Sequence, residues 1–510
     1  MKNRYKILCL GVILLTASCA KDKSNYDFQP KEVITVKGIE ANYTTVSEKE
    51  SLVLNPEVSS TDPNAKFEYL WGIYETSVQG SAPVLDTIGR TKELNYLVLK
   101  PAKGWVLVFR VTNVNTKYSQ YFTSSINVVT QFTRGWYVAK DDGIQSDLDL
   151  FLTPTAITPV GKLENVYSEN NGKKLEGKAS MITFFSAYKS TVTGVLGNTR
   201  ALFLLTDKNV SGLNINTLKE IRGYNTLFYD APAVKAPDAV FLGSQANYLV
   251  NNGQCHSLYA MSANTGQFGV AKIKDDLATP YHLSKYFFGY WIADPFFFDE
   301  TSSSFLSATG TGAVMTSVSD APPVDGKKVT DMPANNNNKK MLYMGYKASN
   351  MAYAMFQDKT VPSLKILSAI TPNRTAFKMI NDTLQTTSKI YNATRFALLD
   401  GDENMIYFVL GNEIWSRNLS NKFEQLQYTA PAGEEVTFVR HRKYTSEAAY
   451  AHNYVMIGTK SGSNYKVRMF TKSSGNLAST PAFTLEGTGI VRDVLYMSPS
   501  VSETTYSYSY

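Results

Sequence analysis

Ile406-Tyr407-Phe408-Val409-Leu410-Gly411-Asn412-Glu413-Ile414-Trp415 is an apolar run, a Gly/Asn break and a second run, and its reading decides the fold. Two-residue loops of this composition favour primed turns, whose twist matches the flanking strands, so the stretch predicts a β-hairpin. Tyr248-Leu249-Val250, Asn252-Gly253 and Gln254-Cys255-His256-Ser257-Leu258-Tyr259 repeat the pattern. Further β-runs stand at 201–205, 352–356, 454–458 and 465–471, and no long stretch beyond position 132 has helical periodicity.

An apolar strand, a Gly/Asn turn and a strand ending in a polar residue and leucine resembles the inner hairpin of a propeller blade. Roughly 378 residues follow position 132, and at ~40–50 residues per blade they make seven to nine blades. The expected fold is therefore all-β, with a β-propeller-like domain of about seven blades over 132–510. Two packed β-sandwiches are the alternative. The boundary is set by Gln131-Phe132-Thr133-Arg134-Gly135-Trp136-Tyr137-Val138, where a glycine turn restarts the chain as an apolar strand.

Residues 32–131 break into short strands separated by turn residues. Ser51-Leu52-Val53-Leu54 and Phe67-Glu68-Tyr69-Leu70-Trp71 flank the turn Ser60-Thr61-Asp62-Pro63-Asn64, and 94–98, 105–111 and 121–129 add more. About seven such strands in 100 residues predict an immunoglobulin-like sandwich. Leu54-Asn55-Pro56-Glu57-Val58, Tyr69-Leu70-Trp71, Leu94-Asn95-Tyr96 and Phe109-Arg110-Val111-Thr112-Asn113 together resemble the polycystic-kidney-disease-like (PKD-like) domain of a family of surface lipoproteins. The resemblance implies that Trp71 packs between the sheets. In that family the last stretch commonly reads Val-Thr-Asp, so Asn113 is a departure.

Lys2, Arg4 and Lys6, an apolar run from Ile7 to Leu15 and the small residues Thr16-Ala17-Ser18 form the three-part pattern of a secretory signal over 1–18. The apolar run is about half of the roughly 20 residues that a membrane-crossing helix needs. Leu15-Thr16-Ala17-Ser18-Cys19 resembles the bacterial lipobox, with leucine one place further out than usual. Cys19 is thus the expected lipidation site, palmitate or similar acyl chains holding the protein on a membrane. Residues 19–31 read as a polar tether. Lys21-Asp22 resembles a surface-export signal, so the outer membrane, facing outward, is the expected address and a periplasm-facing anchor the alternative. Cys9 would leave with the signal and Cys19 would be acylated, so Cys255 alone is left as a free thiol, which excludes a disulfide framework.

With 51 basic and 44 acidic residues the precursor carries +7; loss of three cations with the signal leaves a nearly neutral chain. No basic cluster with interleaved aromatics stands in it, so nucleic acid is not an expected partner. Trp136, Tyr137 and Trp291 are candidates for lining a sugar or peptide site. Asp147 and Asp149 read as one polar strand face and could serve as paired acids. Asp400, Asp402 and Asn404 place oxygens at alternate positions, as a calcium loop does, but Met405 and Gly411 stand where that loop needs glycine and glutamate. The four histidines, His256, His282, His441 and His452, show no metal-ligand spacing. No catalytic residue and no cofactor are expected.

The resemblance implies an accessory to outer-membrane nutrient import, working beside a TonB-dependent channel and its companion binding lipoprotein, with a glycan, glycopeptide or protein as ligand. One alternative is a polysaccharide-degrading hydrolase or lyase, which needs converging acids or a metal at the central channel. The other is a structural or assembly lipoprotein.

Overall fold

The computed structural model describes residues 32–75, 83–191, 196–260, 265–289, 294–348, 350–502, 505, 506, 508 and 509. The signal, Cys19, Lys21, Asp22 and Trp291 lie outside the described residues. No helix among those described is long and apolar enough to cross a membrane. The chain divides into two compact units, Met1–Val128 and Val129–Tyr510.

In the first unit Asn42–Val46, Ser119–Val129, Gly104–Asn113, Phe67–Glu75 and Asp86–Gly89 form one antiparallel sheet in that order. Ile34–Lys37 pairs with Glu57–Ser60, and Ser51–Leu54 with Leu94–Leu97. Leu52 and Leu54 are buried while Ser51 and Val53 are exposed, the period-2 alternation of a half-buried strand. One core joins both sets of strands, so the unit is the expected β-sandwich. Trp71 lies wholly inside it, its ring 4.1 Å from that of Phe109 and its Nε1 donating to the Thr91 carbonyl.

The departure at Asn113 has a physical reason. The side chain is fully buried, and its Nδ2 donates to Glu32 Oε1 and Asp62 Oδ2, both at 2.9 Å. An amide can bridge two carboxylates; an aspartate there would oppose both. Asn113→Asp is therefore expected to cost the sandwich about 2–3 kcal/mol near pH 7. The introduced carboxyl would have its folded pKa raised above the ordinary ~3.9. The deficit is then absent below that value, grows as pH rises above it and levels off once pH passes the folded pKa. Urea unfolding of parent and variant at pH 4 and 7 checks this, and an equal deficit at both would refute the charge argument.

Among the described residues the second unit holds seven antiparallel blade sheets in a ring, besides a two-stranded pair of Lys472–Ser473 with Asn476–Leu477. Six are built in chain order from an innermost strand outward: Ala179–Ser190 opens blade 2, Pro237–Leu242 blade 3, Leu283–Gly289 blade 4, Lys339–Ala348 blade 5, Arg395–Leu398 blade 6 and Glu435–Tyr444 blade 7. Blade 1 combines both ends of the unit: Ile490–Met497 pairs antiparallel with Gly135–Asp141, followed by Gln145–Leu152 and Gly161–Leu163. The innermost strands touch in sequence from blade 1 to blade 7 and back to blade 1. The two-sandwich alternative fails on this closure, because no sheet is left to face another as an open layer.

The hairpins form as their turns dictate. Asn252 and Gly253 both have positive φ, the type I′ signature, and Gly411 alone does, as type II′ requires. Asp147 and Asp149 correct the expectation of a polar face, since both are buried. Asp149 binds Lys140 Nζ at 2.7 Å and accepts from Tyr465 Oη of blade 7 and the Asn165 N–H. Asp147 accepts from the N–H groups of Tyr167 and Ser168 at the start of the short helix Val166–Asn171. The pair stitches blade 1 together and offers no free carboxylate. Asn335–Asn338 is a packed turn, with Asn337 buried and Asn335 Nδ2 donating to the Val318 carbonyl.

Candidate functional site

The innermost strands begin at one end of the ring, and six of the seven are interrupted there by a register shift among the described residues. The shifts fall at Ser180, Asp238, between Leu283 and Phe287, at Leu342, at Thr437 and at Arg492. A bulge breaks the in-out alternation and re-aims one side chain. At five of these residues, Ser180, Lys285, Tyr286, Thr437 and Arg492, the re-aimed side chains line a common pocket of about 570 Å³. Tyr343 of blade 5, Arg395 and Phe396 of blade 6 and Arg440 of blade 7 complete its wall.

The pocket is aromatic on one side and cationic on the other. The rings of Tyr286 and Tyr343 meet edge to face at 5.7 Å, and Tyr343 and Phe396 lie 5.2 Å apart. Tyr343 is held by its Oη, which accepts the Leu398 N–H. Lys285, Arg395, Arg440 and Arg492 supply the charge, and no described lining residue is acidic. Arg492 Nε donates to Asp141 at 2.6 Å and Arg440 Nε to Asp493 at 2.9 Å.

Below the pocket the channel narrows to a neck with a cavity of about 50 Å³, walled by Met181, Phe241, Phe287, Leu495, Arg440, Arg442 and Asp493. Asp493 is fully buried and spoken for: besides Arg440 it faces Arg442, and it accepts the Ile182 N–H at 3.0 Å. Burial pulls the Arg442 guanidinium below its ordinary value, and Asp493 opposes that shift. The chain after blade 1 closes the far end. Arg442 lies 5.3 Å from the ring of Tyr506, which donates to the Tyr496 carbonyl, and Tyr508–Ser509 pairs with Phe288 and Gly289 of blade 4. Tyr506 thus stands on the side of the neck away from the mouth pocket.

The residues singled out in the sequence lie elsewhere. Trp136 and Tyr137 are wholly buried; Trp136 packs on Tyr496 and His452 with Nε1 donating to the Ile157 carbonyl, and Tyr137 Oη bonds the Phe132 carbonyl. Neither ring is open to a ligand, so both are corrected to packing residues. The turn at 400–404 already contains a cation of the protein's own: buried Lys347 Nζ donates to the carbonyls of Leu399 and Asp402, both at 2.7 Å. Asp402 is bonded to Lys472 at 2.6 Å, which overcomes burial and holds its carboxyl well below the usual range. Asn404 Nδ2 donates to Ser420 Oγ. No group of three metal-ligating side chains stands among the described residues. His441 accepts the Asp400 N–H and pairs with Asn453, and burial pushes it down to about 4. Cys255 is buried in its strand, its thiol pushed up to about 12.

Sequence reasoning missed Ser180, Lys285, Tyr286, Thr437 and Arg492, because a break in register leaves no trace in composition, and it missed Arg395, which opens a regular inner strand. A weak signal existed: each is polar or aromatic and stands within the first four residues of an innermost strand.

Residues 19–179 match the model of the PKD-like family, a stretch that holds the sandwich and the first strands of the ring. This agrees with the resemblance carried by Trp71 and its neighbours. No curated protein sequence matches the chain. Among solved structures, a quinonprotein alcohol dehydrogenase-like protein from Bacteroides thetaiotaomicron is 12% identical, with 90% of this chain and 97% of that one covered at a TM-score of 0.38. Dihydro-heme d1 dehydrogenase NirN is 10% identical, covering 72% and 75% at a TM-score of 0.36. The N-terminal domain of Nup159 is 10% identical, covering 63% and 83% at 0.33. The propeller rests on the sheet order and ring closure of this chain itself.

Proposed function

We propose that the chain is a lipid-anchored, surface-exposed binding protein that captures a glycan, glycopeptide or protein in the propeller mouth, as an accessory to outer-membrane nutrient uptake. The observation that carries the binding reading is the pocket of about 570 Å³ on the propeller axis, which no described acidic residue lines. Its size suits one or two sugar rings or side chains, within the ~300–1,000 Å³ common for ligand sites. Paired-carboxylate hydrolysis needs a second acid about 5–9 Å from the first. The acid that lines the neck among the described residues, Asp493, has both oxygens occupied. The sandwich serves as spacer between the anchor at Cys19 and the propeller. A TonB-dependent channel and its companion lipoprotein are the expected partners.

The test is a glycan and peptide array probed with the chain from Ala20 onward, with reducing-sugar release measured in parallel. Saturable binding is expected, without sugar release, and it should be lost in Thr394→Trp, which fills the mouth from an exposed rim position. Binding that survives this variant would move the site elsewhere. Released sugar would replace the binding reading with an enzymatic one. In cells, Cys19→Ala should free the protein from the membrane fraction.

A further inference from the structure

The mouth pocket contains polar groups that the fold leaves unanswered. Among the described residues the half-buried Arg395 guanidinium has no hydrogen-bond or ion-pair partner. The carboxylate nearest in effect, Glu435, is exposed and bonded to Lys460 at 3.0 Å. Burial pulls the Arg395 guanidinium below its ordinary value; Glu435 opposes that shift and the nearby Arg492 adds to it. Two hydroxyls share the condition. Thr437 is 6% exposed, and neither its Oγ1 nor the buried Oγ of Ser180 has a partner. A buried hydroxyl without a partner is costly, so two of them beside an unpaired guanidinium in one pocket are complementary to something absent from the chain.

What would answer them is defined by their chemistry. A guanidinium beside a second one selects a planar or tetrahedral oxyanion, which Arg can hold through two parallel N–H bonds. Thr437 and Ser180 add single hydroxyls that both donate and accept, which suits sugar hydroxyls. The opposite wall, Tyr286, Tyr343 and Phe396, offers ring faces and edges to an apolar C–H surface. One compact ligand combines an oxyanion, hydroxyls and a C–H face: a sugar ring bearing a carboxylate or sulfate.

Building on the binding reading above, we propose that the mouth pocket is a subsite for an acidic sugar residue. Arg395 takes the oxyanion, Thr437 and Ser180 bond the ring hydroxyls, and Tyr286 with Phe396 covers the apolar face. A neutral glycan leaves Arg395 unanswered, and an acidic peptide leaves the hydroxyls so.

The experiment is titration calorimetry of the chain from Ala20 onward with four probes: oligogalacturonate, dextran sulfate, neutral dextran and poly-L-glutamate. The expected result is binding of oligogalacturonate or dextran sulfate at least tenfold tighter than of dextran or poly-L-glutamate, weakening with added salt. The first two probes distinguish carboxylate from sulfate. Arg395→Gln should lose at least tenfold, Arg395→Lys should fall between, and Thr437→Val should lose three- to tenfold without any fall in melting temperature. If Arg395→Gln fails to fold, Arg395→Lys and Thr437→Val decide. Dextran binding as tight as that of the acidic glycans, unchanged by Arg395→Gln, overturns the anion assignment and leaves the binding reading standing. Poly-L-glutamate binding best assigns the pocket to acidic peptides and overturns the sugar. Failure of all four probes overturns the proposal, whereas the binding reading falls only with the array and Thr394→Trp.

Discussion

Replacing Asp493 with alanine is expected to destabilise the propeller unit by about 3–5 kcal/mol, the usual cost of removing one partner from a buried charge cluster. The size follows from where the residue stands. Asp493 is on the last inner strand, Arg440 and Arg442 are on that of blade 7, and Ile182 is on that of blade 2. One carboxylate therefore ties three neighbouring blades at the seam where the ring closes. Its removal takes the carboxylate away from two guanidiniums in the neck beside Met181 and Leu495. Urea unfolding followed by near-ultraviolet circular dichroism measures the effect. A loss below 1 kcal/mol would mean that water satisfies both arginines and that the seam is held by apolar packing alone. Asp493→Asn, which keeps the shape and one acceptor oxygen, should recover part of the loss.

The seam also marks the limit of what was legible. The hairpins at 248–259 and 405–418 could be read because a primed turn is written in adjacent residues, and the positive φ values of Asn252, Gly253 and Gly411 are its execution. Trp71 was legible because a tryptophan on a central sandwich strand has few other places to go. Closure was not, since Trp136 faces Tyr496 across 360 positions and nothing local in either strand names the other. The polar alternation of Asp147 and Asp149 misled for the same reason. Their partners Lys140, Tyr465 and the turn at 165–168 come from other strands, and only the folded ring shows that the face is covered. The mouth pocket was hidden by a different effect. A bulge shifts the inward set by one residue, so Thr437 and Arg492 point where a regular strand would have sent a neighbour.

Ending the chain at Gly489 is expected to abolish the propeller while sparing the sandwich. The removed strand Ile490–Met497 buries Val491, Val494, Leu495, Tyr496 and Met497 almost completely. At ~1.5–3 kcal/mol for each fully buried side chain, their loss comes to roughly 7–15 kcal/mol. A domain's whole stability is ~5–15 kcal/mol, so the deficit consumes it. Truncation also strips Gly135–Asp141 of its ladder partner and removes Asp493 from the seam. The sandwich, with its own core around Trp71 and Phe109, has no residue in the deleted strand and should keep its own unfolding transition. Calorimetry of the truncated chain should thus show one transition where the parent shows two, and supplying residues 490–510 as a peptide should restore part of the second. A truncated chain that kept the propeller transition within about 2 kcal/mol of the parent's would show that the remaining blades close without the last strand. The ring would then owe its stability to packing between neighbouring sheets and not to the pairing of its two ends.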